Sequence, residues 1–149
     1  MRIAVAFDHR GVKLRERILE TVAGLGHEIV DLGTDRPEPR IDYPVKAREI
    51  GEAIRSGEAE RGVLICGSGV GASVAASKIA GIRAAVCHDV HSAHQCVEHD
   101  DVNVMCIGAQ IVGPWLAKDL IAAYLGAKFS TAEEFRRRVA KLADMDAGR

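Results

Sequence analysis

Short apolar runs alternate with longer amphipathic segments along this chain. In the longer segments apolar residues recur every three or four positions, as they do on one face of a helix. Strands that are apolar throughout are buried on both faces, and strands alternating with helices are typical of a parallel sheet. The pattern predicts one doubly wound, Rossmann-like α/β domain over residues 1–149, three layers thick, with about five strands: Ile3–Phe7, Glu28–Leu32, Gly62–Cys66, Ile82–Cys87 and Asn103–Ile107.

The first predicted helix follows from Leu14, Ile18 and Val22, which are spaced four residues apart and so share one face. Gly24 and Gly26 end this helix. Further helices are predicted from after Pro44 to about Ser56, over Ala72–Lys78, Ser92–His99 and Pro114–Leu125, and from Thr131 to about Asp144. The apolar face of this last helix is stronger than a terminal helix requires. We therefore expect it to pack on its own domain or to dock on another subunit.

Composition argues against several classes of function. The net charge is −1, so there is no basic field that would hold nucleic acid or an anionic membrane. No apolar stretch approaches the roughly 20 residues of a membrane helix, and the first run reaches Asp8 too early for a signal peptide. A cytoplasmic protein is expected, and the 4 cysteines, which form no CxxC pair, are expected to be free thiols there.

Cys66 is the first candidate for chemistry. It ends an apolar strand and is followed by a glycine loop, Gly67-Ser68-Gly69-Val70-Gly71, and then by a helix. Such a position lowers a thiol pKa from about 8.5, and the loop's backbone N–H groups form an anion nest. A base beside an anion nest suits the removal of a proton next to a sugar carbonyl, because the resulting enediolate needs preorganised donors. Ser68 could add a hydroxyl hydrogen bond.

Two other interpretations of this segment stay open. Glycine loops after strands also bind nucleotides and phosphates, although this one matches neither the P-loop nor the GxGxxG pattern. Most cysteines are simply small buried hydrophobic residues.

Asp8-His9 follows the first strand, at the sheet edge where ligands bind in such folds. A carboxylate and an imidazole at a helix N-terminus can bind an anion and move protons. The alternative is that Asp8 only caps the helix.

Histidines at positions 88, 91, 94 and 99 suggest a metal, but only the second and third share a helix face, and neither HExxH nor a matched carboxylate is present. We expect no metal and favour one of these histidines as an acid–base group. Arg136-Arg137-Arg138 cannot share one helix face, so only one or two of these arginines could bind a phosphate.

Several of these segments together resemble the type B ribose-5-phosphate isomerases, a family that includes the galactose-6-phosphate isomerase subunits. The resemblance runs from Ile3 to about Val139. The matching motifs, in chain order, are Asp8-His9-x-Gly11, Gly33-Thr34, Asp42-Tyr43-Pro44, Cys66 to Gly71, Ala75-Ala76-x-Lys78, Gly81-Ile82-Arg83-Ala84, His99 and Asn103-Val104.

The resemblance implies an aldose–ketose isomerase that acts on a small phosphorylated sugar without a metal or organic cofactor. Cys66 would move the proton between C1 and C2, and Asp8 would assist ring opening together with His99 from the neighbouring subunit. The resemblance also implies dimers or tetramers with active sites between subunits, which offers a use for the final helix. It implies further substrate contacts from His9, Tyr43, Gly67, Ser68, Gly69, Val70 and Gly71.

The chain departs from the family pattern at its phosphate-binding arginines. Gln110 and Glu134 stand where the family usually has arginine, and only Arg138, with Arg137 beside it, remains in register. Asp100 replaces a frequent asparagine in the expected substrate site.

Arg10 stands where alanine is frequent, and we expect it to replace a lost phosphate contact. Ribose 5-phosphate is the expected substrate. The alternatives are a tetrose or hexose phosphate, an unphosphorylated sugar, or a non-catalytic sugar-phosphate-binding subunit.

Overall fold

The computed structural model describes residues 1–148. It contains one parallel sheet whose strands lie side by side in the order β2-β1-β3-β5-β4. The strands are β1 (Arg2–Phe7), β2 (Glu28–Asp31), β3 (Arg61–Cys66), β4 (Ala84–Val86) and β5 (Val104–Gly108). The predicted doubly wound α/β fold with a five-stranded parallel sheet is confirmed.

The direction of winding reverses between β1 and β3. The chain runs from β1 outward to β2, then returns past β1 to β3 and continues on the other side. Such a reversal opens a crevice at the carboxyl ends of the two strands. β1 pairs with β3 up to Phe7 opposite Ile65, so the next residues, Asp8 and Cys66, meet at this crevice.

Helices cover both faces of the sheet. A short 3₁₀ helix (Gly11–Leu14), α1 (Arg15–Gly24), α4 (Val90–Asp100) and α5 (Pro114–Gly126) share a core with one face. α2 (Tyr43–Arg55) and α3 (Val70–Ala76) cover the other face. α6 (Glu133–Ala147) lies outside these layers and packs on α4.

The alternation along β1 accounts for the two cores. Ile3, Val5 and Phe7 are fully buried in the first core, whereas Ala4 and Ala6 are fully buried in the second. Large side chains on one face and methyl groups on the other let α2 and α3 lie close to the sheet.

Several predicted boundaries differ from the structure by one to three residues, including those of β4, α3 and the last helix. β4 has only three residues rather than six, because the Arg83 N–H donates to the side chain of Asn103 instead of to a neighbouring strand. α3 begins at Val70, two residues earlier than predicted, because Gly69 in the left-handed conformation (φ +80°) turns the chain directly into the helix. The last helix runs two residues later at its start and three later at its end.

No residue of α6 is buried, and Leu142 on its apolar face remains 41% exposed. Its packing on α4 leaves part of that face open. Among residues 1–148, no helix is long and apolar enough to cross a lipid bilayer.

Candidate active site

A cavity of about 270 Å³ opens at the carboxyl ends of β1 and β3. Three segments from these ends and from the start of α2 supply its walls, and one residue after β5 completes it. The lining residues are Asp8, His9, Arg10, Asp42, Tyr43, Cys66, Gly67, Ser68, Gly71 and Gln110. A larger hollow of about 600 Å³ lies beneath α6, but it contains neither the thiol nor the glycine loop, so the smaller cavity is the candidate site.

The Cys66 thiol lies at the floor of this cavity. The residue is 3% exposed, and the Gly69 N–H donates to its Sγ at 3.1 Å. This hydrogen bond holds the cysteine side chain in one orientation within the cavity.

The glycine loop supplies two further donors. Among residues 1–148, no protein atom accepts a hydrogen bond from the backbone N–H groups of Gly67 and Ser68. The Val70 N–H donates to Ser68 Oγ at 3.3 Å. Gly69 and Val70, which the resemblance places among the substrate contacts, do not line the cavity. The nest within this chain therefore rests on the N–H groups of Gly67 and Ser68.

Two glycines allow side chains to approach the loop closely. A β-carbon on Gly71 would lie 2.7 Å from Cζ of Tyr43, so the tyrosine ring packs directly on this glycine. A β-carbon on Gly67 would lie 3.0 Å from Arg10 Cδ and 3.1 Å from Gln110 Oε1. Tyr43 thus forms one wall, and the other two side chains flank the nest.

Asp8 can fill both of the roles considered for it from the sequence: it caps the turn, and it can contact a ligand. It is 3% exposed, and its Oδ1 accepts hydrogen bonds from the N–H groups of Arg10 and Gly11, both at 2.8 Å. The carboxylate therefore caps the turn. Within residues 1–148 its second oxygen accepts no hydrogen bond, which leaves that atom for a ligand.

The same turn is fixed against β3. A β-carbon on Gly11 would overlap the Ile65 carbonyl, and the Asp8 N–H donates to that carbonyl oxygen at 3.0 Å. This contact holds the Asp8 turn beside the strand that carries the thiol.

His9 and Arg10 bring hydrogen-bond donors to the cavity. The Nδ1–H of His9 donates to the Ile41 carbonyl at 3.0 Å, so the ring is oriented and Nε2 is left for a ligand. The Arg10 side chain is exposed, and among residues 1–148 it has no ion-pair partner. Its charge is available to an anion.

Four predicted site residues lie elsewhere, on the surface formed by α4 and α6. His99 stacks on Phe135, with ring centroids 4.0 Å apart and an interplanar angle of 12°. None of the four lines the cavity: His99, Asp100, Arg137 and Arg138. A single copy of the chain therefore does not bring together all the residues that the resemblance implies.

The other histidines do not form a metal site. His94 Nδ1 lies 3.4 Å from a carboxylate oxygen of Glu98, its neighbour on α4. Among residues 1–148, no group of three or more histidine, cysteine, aspartate or glutamate side chains is arranged to hold a metal ion.

Sequence reasoning gave no specific role to two residues near the nest, although His88 is one of the four histidines considered for acid–base catalysis. Asp42 lines the cavity although it precedes a helix, where an aspartate is ordinarily taken for a cap. His88 lies behind the nest, where its Nε2 accepts a hydrogen bond from the Gly108 N–H at 2.9 Å. Its position directly after the fourth predicted strand was the available signal.

The fold and the cavity define a class of α/β enzyme that carries a buried thiol beside an anion nest at the switch point of a parallel sheet. The sequence model of the family described as Ribose/Galactose Isomerase matches residues 3–142. The chain belongs to this family of sugar-phosphate isomerases.

Similarity to individual members supports this assignment. Ribose-5-phosphate isomerase B of Escherichia coli is 42% identical over 91% of both chains. D-erythrulose-4-phosphate isomerase of Pectobacterium atrosepticum is 36% identical over 87% of this chain and 85% of its own. Among solved structures, ribose-5-phosphate isomerase B of Clostridium thermocellum superposes with a TM-score of 0.94 at 38% identity, covering 99% of each chain.

Proposed function

We propose that this enzyme interconverts ribose 5-phosphate and ribulose 5-phosphate through an enediolate, with Cys66 as the base. One observation carries the proposal. The Cys66 thiol and the nest residues Gly67 and Ser68, whose N–H groups have no protein acceptor, line the same small cavity. The E. coli relative, named for this reaction, supports the choice of sugar.

The chemistry follows from that arrangement. In the open-chain aldose, the Cys66 thiolate takes the proton from C2, and the C–H electrons form the C1–C2 double bond. The carbonyl oxygen on C1 becomes an oxyanion, which the N–H groups of Gly67 and Ser68 stabilise. The thiol then returns its proton to C1, while the hydroxyl proton on C2 passes to the oxygen on C1. The carbonyl is now on C2, and atoms and charge balance.

Arg10 supplies the phosphate contact that Gln110 does not. Both side chains flank Gly67, so Arg10 reaches the part of the cavity where an arginine at position 110 would lie. A guanidinium is suited to a phosphate because it forms charge-assisted, bidentate hydrogen bonds. The positive charge has thus moved from the end of β5 to the turn after β1.

The remaining groups come from a second copy of the chain. His99 would assist ring opening, and Asp100, Arg137 and Arg138 would contact the substrate across the interface. These residues are absent from the cavity of their own chain and share a surface that includes the partly open face of α6. The proposed active assembly is therefore a dimer or a tetramer whose active sites lie between subunits.

A tetrose phosphate is the second candidate substrate. Gln110 lines the cavity without a charge, and the relative from P. atrosepticum is named for an erythrulose phosphate. With Gln110 in place of an arginine, the cavity can accommodate a shorter sugar, whose phosphate would lie nearer Cys66.

Proton NMR in D₂O tests both candidates. Purified protein receives ribose 5-phosphate, erythrose 4-phosphate, allose 6-phosphate or unphosphorylated ribose, beside the Cys66→Ala variant. We expect the fastest conversion with ribose 5-phosphate, deuterium in the ketose, and no conversion by the variant. Faster conversion of erythrose 4-phosphate would replace the substrate but keep the mechanism. Turnover of no sugar by the folded protein would refute the proposal.

A further inference from the structure

β5 extends beyond its neighbour β4 at the edge of the cavity. β4 ends at Val86, which pairs with Cys106, whereas β5 continues to Gly108. The Cys87 N–H still donates to the Cys106 carbonyl at 3.2 Å. The next N–H that points toward β4 is that of Gly108, and no strand remains there to accept it.

An imidazole takes the place of the missing strand. His88 Nε2 lies 2.9 Å from the Gly108 nitrogen, and an N–H can only donate. Nε2 therefore carries the lone pair, and Nδ1 carries the proton of the neutral ring. Burial lowers the pKa of His88 against the opposing charge of Asp89, which favours this neutral form.

Gly108 supports the nest from behind. A β-carbon on Gly108 would lie 2.6 Å from the carbonyl carbon and oxygen of Ser68. From the other side, a β-carbon on Gly69 would lie 3.1 Å from the Gly108 nitrogen. The peptide that joins Ser68 to Gly69 is thus in direct contact with Gly108, and its N–H is the one that donates to Cys66 Sγ.

We infer that His88 is a positioning residue for this reaction: its neutral ring fixes Gly108, and Gly108 fixes the peptide that orients the thiol and the nest. His88 does not line the cavity and touches no reacting atom. The inference rests on the proposed function, because it assigns the nest to the enediolate.

Removing the hydrogen bond between Gly108 and His88 should destabilise the transition state more than the bound substrate. The nest donors act on charge that develops only as the proton leaves C2, whereas ground-state binding depends on Arg10 and His9. A small displacement of catalytic groups costs up to about a hundredfold in rate. Loss of the His88 acceptor should therefore lower kcat with little change in KM.

Two matched variants separate the acceptor from the space it fills. His88→Phe keeps a ring but removes the acceptor, and His88→Gln places a carbonyl oxygen near the position of Nε2. We expect the Phe variant to lose about tenfold to a hundredfold in kcat with KM nearly unchanged, and the Gln variant to keep most of the activity. Unchanged kcat in the Phe variant, or an equal loss in both folded variants, would overturn the inference.

Two further readouts need no substrate. Long-range ¹H–¹⁵N spectra of wild-type protein should show a protonated Nδ1 and an unprotonated Nε2 on His88; a protonated Nε2 would overturn the inference even if the Phe variant does not fold. Alkylation of Cys66 should slow in the Phe variant and not in the Gln variant. If wild-type protein converts no sugar, the proposed function fails, and these two measurements still decide the role of His88.

Discussion

The cavity floor and the α4–α6 surface hold their functional groups in different ways. On the floor, Asp8 and Cys66 are each 3% exposed and are fixed by backbone N–H groups within three residues. On the α4–α6 surface, the side chains of His99 and Arg138 are 31% and 57% exposed. His99 stacks on the ring of Phe135, and Arg138 lies near the carboxylate of Glu134. Both of these neighbours are on α6, none of whose residues is buried.

The Cys66 thiol and the nest are preorganised by the sheet, so they need no partner to take up their positions. In the proposed oligomer, the α4–α6 groups contact a substrate only where the cavity of another copy faces them. Isomerisation of an open-chain sugar should therefore depend mainly on the cavity of one chain, whereas ring opening, which also needs His99, should depend on the proposed oligomer.

Removal of Cys66, the proposed base, gives the largest expected effect. Cys66→Ala should lower kcat for ribose 5-phosphate by about a thousandfold or more, within the range for loss of a general base. Cys96→Ala is the matched control, because it removes a thiol on α4 that is 8% exposed and lies outside the cavity. NMR turnover at saturating sugar measures both. Comparable losses in the two variants would show that stability, not the base, had been affected.

The next effect tests whether the two regions meet across an interface. His99→Ala should lower kcat about a hundredfold, while His94→Ala, an exposed histidine on the same helix, should not. Co-expression of the Cys66→Ala and His99→Ala chains should restore activity, because a mixed dimer contains one intact site. Random pairing predicts about a quarter of the wild-type sites. No recovery in mixed dimers would place the whole site within one chain.

Arg10 tests whether the cavity of one chain has taken over phosphate binding from the α4–α6 surface. A charge-assisted hydrogen bond contributes about 1.5–3 kcal/mol, so Arg10→Ala should raise KM about tenfold or more with a smaller change in kcat. Arg36→Ala is the control, since that arginine pairs with Asp35 outside the cavity. An unchanged KM would assign phosphate binding to the α4–α6 surface alone.

The smallest effect concerns a carboxylate that braces the end of β2. Arg15 and the Gly33 N–H, which donates at 3.0 Å, hold the pKa of Asp31 below its usual value. A lowered acid pKa stabilises the fold above the unfolded pKa of about 3.9, and this stability is lost as pH falls through the folded pKa.

Because the Asp31 side chain is 39% exposed, Asp31→Asn should cost less than about 1 kcal/mol at neutral pH. The difference from wild type should shrink in urea unfolding below about pH 4. Glu58→Gln is the control, because this exposed carboxylate pairs with no cation among residues 1–148, and it should leave the midpoint unchanged. A pH-independent difference would mean that the charge does not contribute.

The floor could be predicted because its signals are local. A strand end, a glycine loop and an acidic dipeptide are each visible in a few consecutive residues, and the rule for parallel sheets brings Asp8 and Cys66 to one edge. The approach of Gln110 to Gly67 was not visible, because it depends on β5 lying beside β3. The partner of His88 depends on β4 ending at Val86, whose pair Cys106 lies two residues before the end of β5. The apolar run 82–87 did not reveal that this strand has only three residues.

The resemblance could name His99, Asp100, Arg137 and Arg138, but it could not say what holds them. Their positions depend on how α6 packs on α4 and, in the proposed oligomer, on a second chain. The site residues therefore stay predictions wherever they rely on that surface.

The contact of Gly67 with Arg10 and Gln110 bears on how this site can evolve. Both side chains are exposed, and both flank the nest without forming part of its backbone. Substitutions at these two positions can change which sugar is accepted while the thiol and its N–H donors keep their places. The substrate range of such an enzyme can therefore change through residues 10 and 110 alone. A library that varies only these two positions would test this.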